Sequence, residues 1–294
     1  MNIVKPKSLK SGDKIAIIAP AGNIDKVNLY NGVKKLKEFG FDVTFSDSIF
    51  EKNRYLADTD ENKIKEIENY FADKSISGIL CARGGYGSIR LINKINYDII
   101  QNNPKFFGGY SDITALQLMF LKNAGLVTYT SPMVCSDFGS DISQFTQDSF
   151  VNTVIKDEKI ALKGEVIVSG ESEGILWGGN LSTIVSLCGL DFLPDRDFIF
   201  FAEDLNEPVY KIDRMFRQLM NIPQFRKHVK GVVFGEFSKV EKNAWLDVLK
   251  AEILFELNVP SLEILNITHS KDKLTLPIGE IFKIKDENLI QKNT

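Results

Sequence analysis

Phe107-Gly108-Gly109-Tyr110-Ser111-Asp112-Ile113-Thr114-Ala115-Leu116 reads as a short apolar strand that turns at once into a helix, with a serine on the turn. Open α/β sheets place their ligands beyond the C-terminal ends of their strands, and a serine there stands where a ligand would lie. Two readings compete for it. Ser-Asp-x-Thr before an apolar run is an ordinary helix N-terminus. Gly109, two residues earlier, also permits the sharp turn of a nucleophile elbow, although Ile113 occupies the last glycine position of a Gly-x-Ser-x-Gly motif.

Working outward, the neighbouring segments supply the sheet that this turn needs. Lys14-Ile15-Ala16-Ile17-Ile18-Ala19 is a strand buried on both faces and ended by Pro20-Ala21-Gly22. A helix with Leu29, Val33 and Leu36 on one face follows, closed by Gly40, then a strand at Phe41–Phe45 and a helix marked by Ile64, Ile67 and Phe71. Ser77–Ala82 is a third strand running into Arg83-Gly84-Gly85-Tyr86-Gly87-Ser88, before a helix through Ile89, Leu91 and Ile92. Phe106–Gly109, a buried helix over Ile113–Ala124 and a strand at Leu126–Tyr129 complete an N-terminal doubly wound parallel sheet.

A helix over Phe145–Lys156 closes this domain, assigned to residues 1–156. The polar crossing 157–172 is expected to be a linker, and residues 173–294 a second, mixed α/β domain. Its expected elements are a helix over Asn180–Cys188, a strand at Phe198–Ala202, a helix over Val209–Met220 and a strand at Gly231–Phe234. A helix over Ala244–Leu257 and strand-like pieces near Ser261–Ile267 and Gly279–Ile284 follow. The expected fold class is α/β, with the active site in the cleft between the two domains.

Composition fits a globular protein: 294 residues, 44% hydrophobic and 26% charged, with a formal net charge of −3. Basic residues are interspersed with acids, so no nucleic-acid partner is expected. The N-terminus lacks an apolar leader and no segment approaches a membrane span, so the expectation is a cytoplasmic protein with no membrane partner. Cys81, Cys135 and Cys188 are odd in number and in apolar company, which fits reduced core thiols and neither a disulfide framework nor structural zinc.

A serine nucleophile needs a base, and the chain has only His228 and His269. His228 lies in the basic run Gln224–Lys230, like a solvated helix end, whereas His269 follows an apolar strand and opens into a polar loop. His269 is the better placed. For the acid that would orient it, Phe198-Ile199-Phe200-Phe201-Ala202 ends in Glu203-Asp204, and a carboxylate at the end of a core strand costs desolvation unless it has a partner. Glu203 is the candidate, with Asp204 and Glu207 as competitors. An oxyanion could be met by the Asp112 N–H at the helix start together with an N–H from the Gly84-Gly85 loop. Cys81 is a rival nucleophile, though its place inside a strand favours a buried thiol. The glycine loop lacks the endings of a P-loop or a dinucleotide site, and no His-Glu-x-x-His or comparable ligand cluster is present, so neither cofactor nor metal is expected.

Six motifs in order resemble a known family: Ile17-Ile18-Ala19-Pro20-Ala21-Gly22; Cys81-Ala82-Arg83-Gly84-Gly85-Tyr86-Gly87; Gly109-Tyr110-Ser111-Asp112-Ile113-Thr114; Gly178-Gly179-Asn180-Leu181-Ser182; Glu203-Asp204-Leu205-Asn206-Glu207-Pro208 with Tyr210-Lys211-Ile212-Asp213-Arg214; and His269 before Leu276-Pro277-Ile278-Gly279. Together they resemble the serine LD-carboxypeptidases over nearly the whole chain. The resemblance implies a triad of Ser111 as nucleophile, His269 as base and then acid, and Glu203 as orienter, with the N–H groups of Gly85 and Asp112 as oxyanion hole. It implies removal of terminal D-alanine from murein tetrapeptides in cytoplasmic cell-wall recycling, a small-peptide (muropeptide) substrate, no metal, and a homodimer. Thr268 stands where the family is expected to carry glycine. A carboxypeptidase must also hold a terminal carboxylate, and Arg83 is the nearest suitable cation. The alternatives are a same-fold hydrolase that cleaves a peptide-nucleotide antibiotic, with Trp177 offered to stack on the base, and a non-catalytic peptide-binding protein.

Overall fold

The computed structural model describes residues 2–240 and 244–292. The chain divides into two compact units, one comprising the residues up to Asp157 with Leu274–Ile278, the other Glu158–Lys273 with the residues from Gly279 onward.

In the first unit, strands β1 (Lys14–Ile18), β2 (Asp42–Thr44), β3 (Ile76–Cys81), β4 (Phe106–Gly109) and β5 (Thr128–Thr130) pair in parallel in the order β5-β4-β3-β1-β2. Between them run helices α1 (Lys26–Glu38), α2 (Asp60–Ala72), α3 (Tyr97–Asn102) and α4 (Thr114–Ala124). The order reverses direction beside β1, and right-handed crossovers then place α1 on one face and α2 to α4 on the other. Side chains confirm two buried faces. Phe106 packs on Phe150, in the cluster that holds Leu29, Val33 and Leu36, whereas the next residue, Phe107, packs on Phe71 of α2 and Phe120 of α4. Helix α5 (Gln144–Phe150) continues through Ile155 in a wider turn.

One expectation needs correcting in this unit. The helix drawn through Ile89–Ile92 is only a tight turn at Ser88–Arg90, and the helix in that crossover is α3, started by the Asn96 side chain on Asp98 N–H. Asn96 was the available signal, since asparagine favours such starts.

The second unit is built on an eight-stranded mixed sheet. Its strands are β6 (Ala161–Lys163), β7 (Glu165–Val168), β8 (Glu171–Asn180), β9 (Phe198–Leu205), β10 (Val229–Ser238) and β11 (Ser261–Glu263); β12 (Leu276–Ile278) belongs elsewhere, and β13 (Ile281–Lys285) and β14 (Asn288–Gln291) complete it. The parallel centre is β8-β9-β10-β11, flanked by antiparallel strands. Helices α6 (Leu181–Val185), α7 (Val209–Met220), α8 (Pro223–His228) and α9 (Ala244–Leu257) connect them. A core of Trp177, Phe198, Phe200, Phe216, Phe225 and Phe234 lies against the sheet.

The stretch 157–172 is therefore no linker: β6 pairs with β14 and β7 with β11, and β8 begins at Glu171. Its short alternating segments are polar because they sit at sheet edges with one face in solvent. Nor do residues 173–294 all belong together. Leu276–Ile278 pairs antiparallel with β5 of the first sheet, and Thr275 is tied there by Ser149 and Thr153.

Candidate active site

Residues from three strand ends meet around Ser111 in the first unit. Ser111 follows β4 with φ +65°, a left-handed conformation that a residue with a Cβ adopts only at a cost of about 1–3 kcal/mol. This is the geometry of a nucleophile elbow. The absent last glycine of the motif is explained by packing: a Cβ on Gly109 would lie 3.0 Å from Ile113 Cγ2 and 3.2 Å from Cys81 Cβ, so the bulk is at 113 and the space is at 109.

The loop after β3 lies directly on this turn. A Cβ on Gly84 would stand 3.0 Å from Ser111 Cβ, 3.1 Å from its Oγ and 3.6 Å from the Asp112 nitrogen. Glycine keeps that space open. The Gly84 carbonyl accepts from Gly22 N–H at 3.2 Å, and across a trans peptide the Gly85 N–H must point away from that carbonyl, out of the β1 loop. The side chain of Asp112 turns inward, where its carboxylate accepts from Ser88 N–H at 2.8 Å and so joins the serine turn to the end of the glycine loop. Burial raises the Asp112 pKa, against the lowering effect of Ser88.

Arg83 is exposed, and its Nη1 donates to the Asn23 carbonyl at 3.0 Å, which lays the guanidinium along the β1 loop beside Gly22. Cys81 is fully buried, and burial, with the charge of Asp112, holds its thiol far above the usual range. It is a core residue, not a nucleophile.

In the second unit, Glu203 stands near the C-terminal end of β9, and its Oε2 lies 2.5 Å from His269 Nδ1. Their side chains are 7% and 12% exposed. Burial works to lower the His269 pKa, but the hydrogen bond and charge of Glu203, with Asp204 behind it, outweigh it and raise the value above 6.5. The competing acids are occupied otherwise. Asp204 accepts from Asn180 Nδ2 at 3.0 Å and Ser182 N–H at 2.8 Å at the start of α6, and Glu207 pairs with Lys211 at 3.2 Å.

His228 ends α8, and its Nδ1 lies 3.0 Å from Asp197 Oδ1. Both residues immediately precede strands, so this pair sits at the N-terminal ends of β9 and β10, opposite to the end where α/β sheets bind ligands.

Sequence reasoning missed the support beneath His269. In β10 the pairing with β9 slips between Phe234 and Phe237, so one extra residue is accommodated opposite Glu203. A Cβ on Gly235, in this bulge, would lie 3.0 Å from Glu203 Cβ and 2.4 Å from the Ile267 carbonyl. A glycine inside the run Val232–Phe237 was the signal, because such glycines mark bulges or close approach. Thr268, the departure from glycine, has no left-handed backbone, and neither has His269, so the position does not require glycine. Trp177, offered as a base-stacking platform, is 0% exposed and packs on Phe192, Phe198 and Phe200.

Models of known families match both parts of the chain: LD-carboxypeptidase N-terminal domain over residues 15–131 and LD-carboxypeptidase C-terminal domain over residues 173–284. The chain belongs to the LD-carboxypeptidase family. It is accordingly a serine-type carboxypeptidase by family. A protein from Bacillus subtilis named probable murein peptide carboxypeptidase is 32% identical over 94% of this chain and 89% of its own length. Among solved structures, an MccF-like protein from Bacillus anthracis superposes with a TM-score of 0.89 at 29% identity, covering 99% of each chain. Muramoyltetrapeptide carboxypeptidase from Oxalobacter formigenes gives 0.86 at 28% identity, over 95% of this chain and 97% of its own. Among the described residues, no helix is long and apolar enough to cross a membrane.

Proposed function

We propose that this LD-carboxypeptidase hydrolyses the L,D-peptide bond that holds the terminal D-alanine of murein tetrapeptides, using Ser111, His269 and Glu203 as one catalytic set. The observation that carries the proposal is the partly buried 2.5 Å contact between Glu203 and His269, which orients the ring through Nδ1 and assigns proton exchange with a nucleophile to the second ring nitrogen. Connectivity supports it as well, since the chain enters the first unit at Leu274, five residues after His269. The names of the B. subtilis and O. formigenes proteins point to the same substrate class.

In this reading His269 takes the proton of Ser111 as the hydroxyl attacks the carbonyl carbon before D-alanine. The Gly85 and Asp112 N–H groups receive the resulting oxyanion. Collapse breaks the C–N bond, His269 protonates the departing amino group, and a water activated by the same imidazole hydrolyses the ester on Ser111. Glu203 holds the ring in the productive tautomer and stabilises its protonated form. Arg83 receives the terminal carboxylate. Cytoplasmic cell-wall recycling and a homodimeric enzyme complete the proposal.

The test is a substrate panel. Tetrapeptides with lysine or diaminopimelate in the third position and D-Ala, L-Ala or D-alaninamide at the end, and a peptidyl-adenylate, are each incubated with the enzyme and the products quantified. Release of D-Ala with rejection of the L-Ala peptides is expected. Preferential release of the nucleotide would instead assign the chain to peptide-nucleotide hydrolysis, for which the buried Trp177 offers no stacking surface.

A further inference from the structure

His269 is the middle residue of Thr268-His269-Ser270, and both neighbours are tied to a single carboxylate. Thr268 Oγ1 donates to Glu236 Oε2, and Ser270 Oγ donates to the same oxygen at 2.6 Å. The Thr268 hydroxyl also accepts from Ser270 N–H at 2.8 Å, closing a small ring around the histidine. Glu236 does not float: its own N–H donates to the Ile267 carbonyl at 2.8 Å, and it sits in the β10 bulge whose neighbour Gly235 abuts Glu203.

We infer that Glu236, Thr268 and Ser270 form a clamp that fixes the direction in which His269 presents its imidazole, with Thr268 as the decisive member. This deepens the proposed function and rests on its assignment of His269 as the base. Thr268 is 7% exposed, so its hydroxyl is out of bulk water, and it is the one group that both donates to Glu236 and accepts from Ser270. A glycine here could do neither. Because the backbone needs no left-handed conformation, a side chain costs nothing in strain, and this chain uses the position to add two hydrogen bonds beside the base.

The geometry also explains why the clamp and the Glu203 contact have to act together. Glu203 fixes one ring nitrogen but leaves rotation of the whole loop about that contact. Pinning the backbone on both sides of the ring removes that freedom, and the bulge makes both supports part of one strand pair. Glu236 is a positioning residue in this account, since its oxygen is spent on Thr268 and Ser270 and not on the imidazole.

The experiment compares wild type with Thr268→Val, Thr268→Ser, Ser270→Ala and Glu236→Gln. It reads kcat and KM for the D-Ala tetrapeptides and the low-field imidazole Nδ1–H resonance. Thr268→Val keeps shape and loses the hydroxyl, and its kcat is expected to fall about 10- to 100-fold with KM within about twofold, the scale of a misplaced catalytic group. The Nδ1–H signal should broaden as the ring loses its fixed direction. Thr268→Ser should restore both, and Ser270→Ala and Glu236→Gln should fall between.

A Thr268→Val protein with wild-type kcat and an unchanged Nδ1–H signal overturns the clamp, as does a Thr268→Ser protein no better than the valine variant. Ser111→Ala run alongside separates the two layers. Retained hydrolysis in that variant sinks the proposed function itself. Lost hydrolysis there, with Thr268→Val fully active, sinks only the clamp.

Discussion

Glu203 Oε2 and His269 Nδ1 lie 2.5 Å apart although the two residues are 66 positions distant in sequence; Glu203 is buried and His269 partly buried. The pair fixes the sign of the pH dependence. In the proposed mechanism His269 acts as a base in its neutral form, and its pKa is raised above 6.5, so kcat/KM should climb with pH through a midpoint above 6.5. Glu203→Gln removes the charge and leaves burial, which acts the other way. The midpoint should then fall below that of wild type while kcat drops on the order of 10³–10⁴-fold, and a pH–rate profile of both proteins checks it. For stability, a raised histidine value means that the contribution of the pair is full below about pH 6.5 and is lost as pH rises through the folded value.

Gly84→Ala should disable the enzyme while leaving it folded. The added methyl would sit 3.0–3.1 Å from the Ser111 side chain and 3.6 Å from the Asp112 nitrogen, so it crowds the proposed nucleophile and the N–H proposed to meet the oxyanion. Gly84 is not in the left-handed region, so the backbone tolerates alanine. We expect kcat to fall about 100-fold, the range for a lost oxyanion donor, with thermal unfolding little changed.

Gly235→Ala should act on the other half of the site. Here the obstacle is backbone, because the Cβ would come 2.4 Å from the Ile267 carbonyl. Either β10 or the His269 loop must shift. A loss of about 1–3 kcal/mol in denaturant unfolding is expected, in the range for overpacking, together with a loss of activity larger than stability explains. Measuring both on the same protein separates the two.

Glu66 belongs to α2 and tests the electrostatics of the first unit. Burial, helped by Asp58, pushes its pKa up to about 7, and its Oε1 has no hydrogen-bond partner among the described residues. An acid raised in the folded state makes stability fall as pH rises from about 4.5 to about 7. Glu66→Gln removes that loss. Each pKa unit is about 1.4 kcal/mol, and allowing for its half-buried position the variant should gain about 1–2 kcal/mol at pH 8 and nothing at pH 4.

The parallel sheet of the first unit was legible because β1, β3 and β4 are apolar runs closed by glycine loops. Ser111 was legible as a strand-to-helix turn, but its reading stayed open until its φ was known, since an ordinary cap and an elbow share the same residues. Glu203 and His269 were legible as a carboxylate and an imidazole at strand ends, where burial demands partners. What sequence could not convey was pairing over distance. The segments 157–172 are short and polar, and only their register with β11 and β14 makes them strands. Leu276–Ile278 looks like part of the second sheet until its pairing with β5 is seen. The clamp on His269 depends on a bulge, and a bulge is a property of two strands together.

The central claim is that Ser111 works with His269 and not with His228. D-Ala release from the tetrapeptide should be measured for wild type, Ser111→Ala, His269→Ala and His228→Ala at one enzyme concentration. The account predicts near wild-type release by His228→Ala and a loss of at least about 10³-fold in the Ser111 and His269 variants. Release that survives in His269→Ala and vanishes in His228→Ala would contradict it.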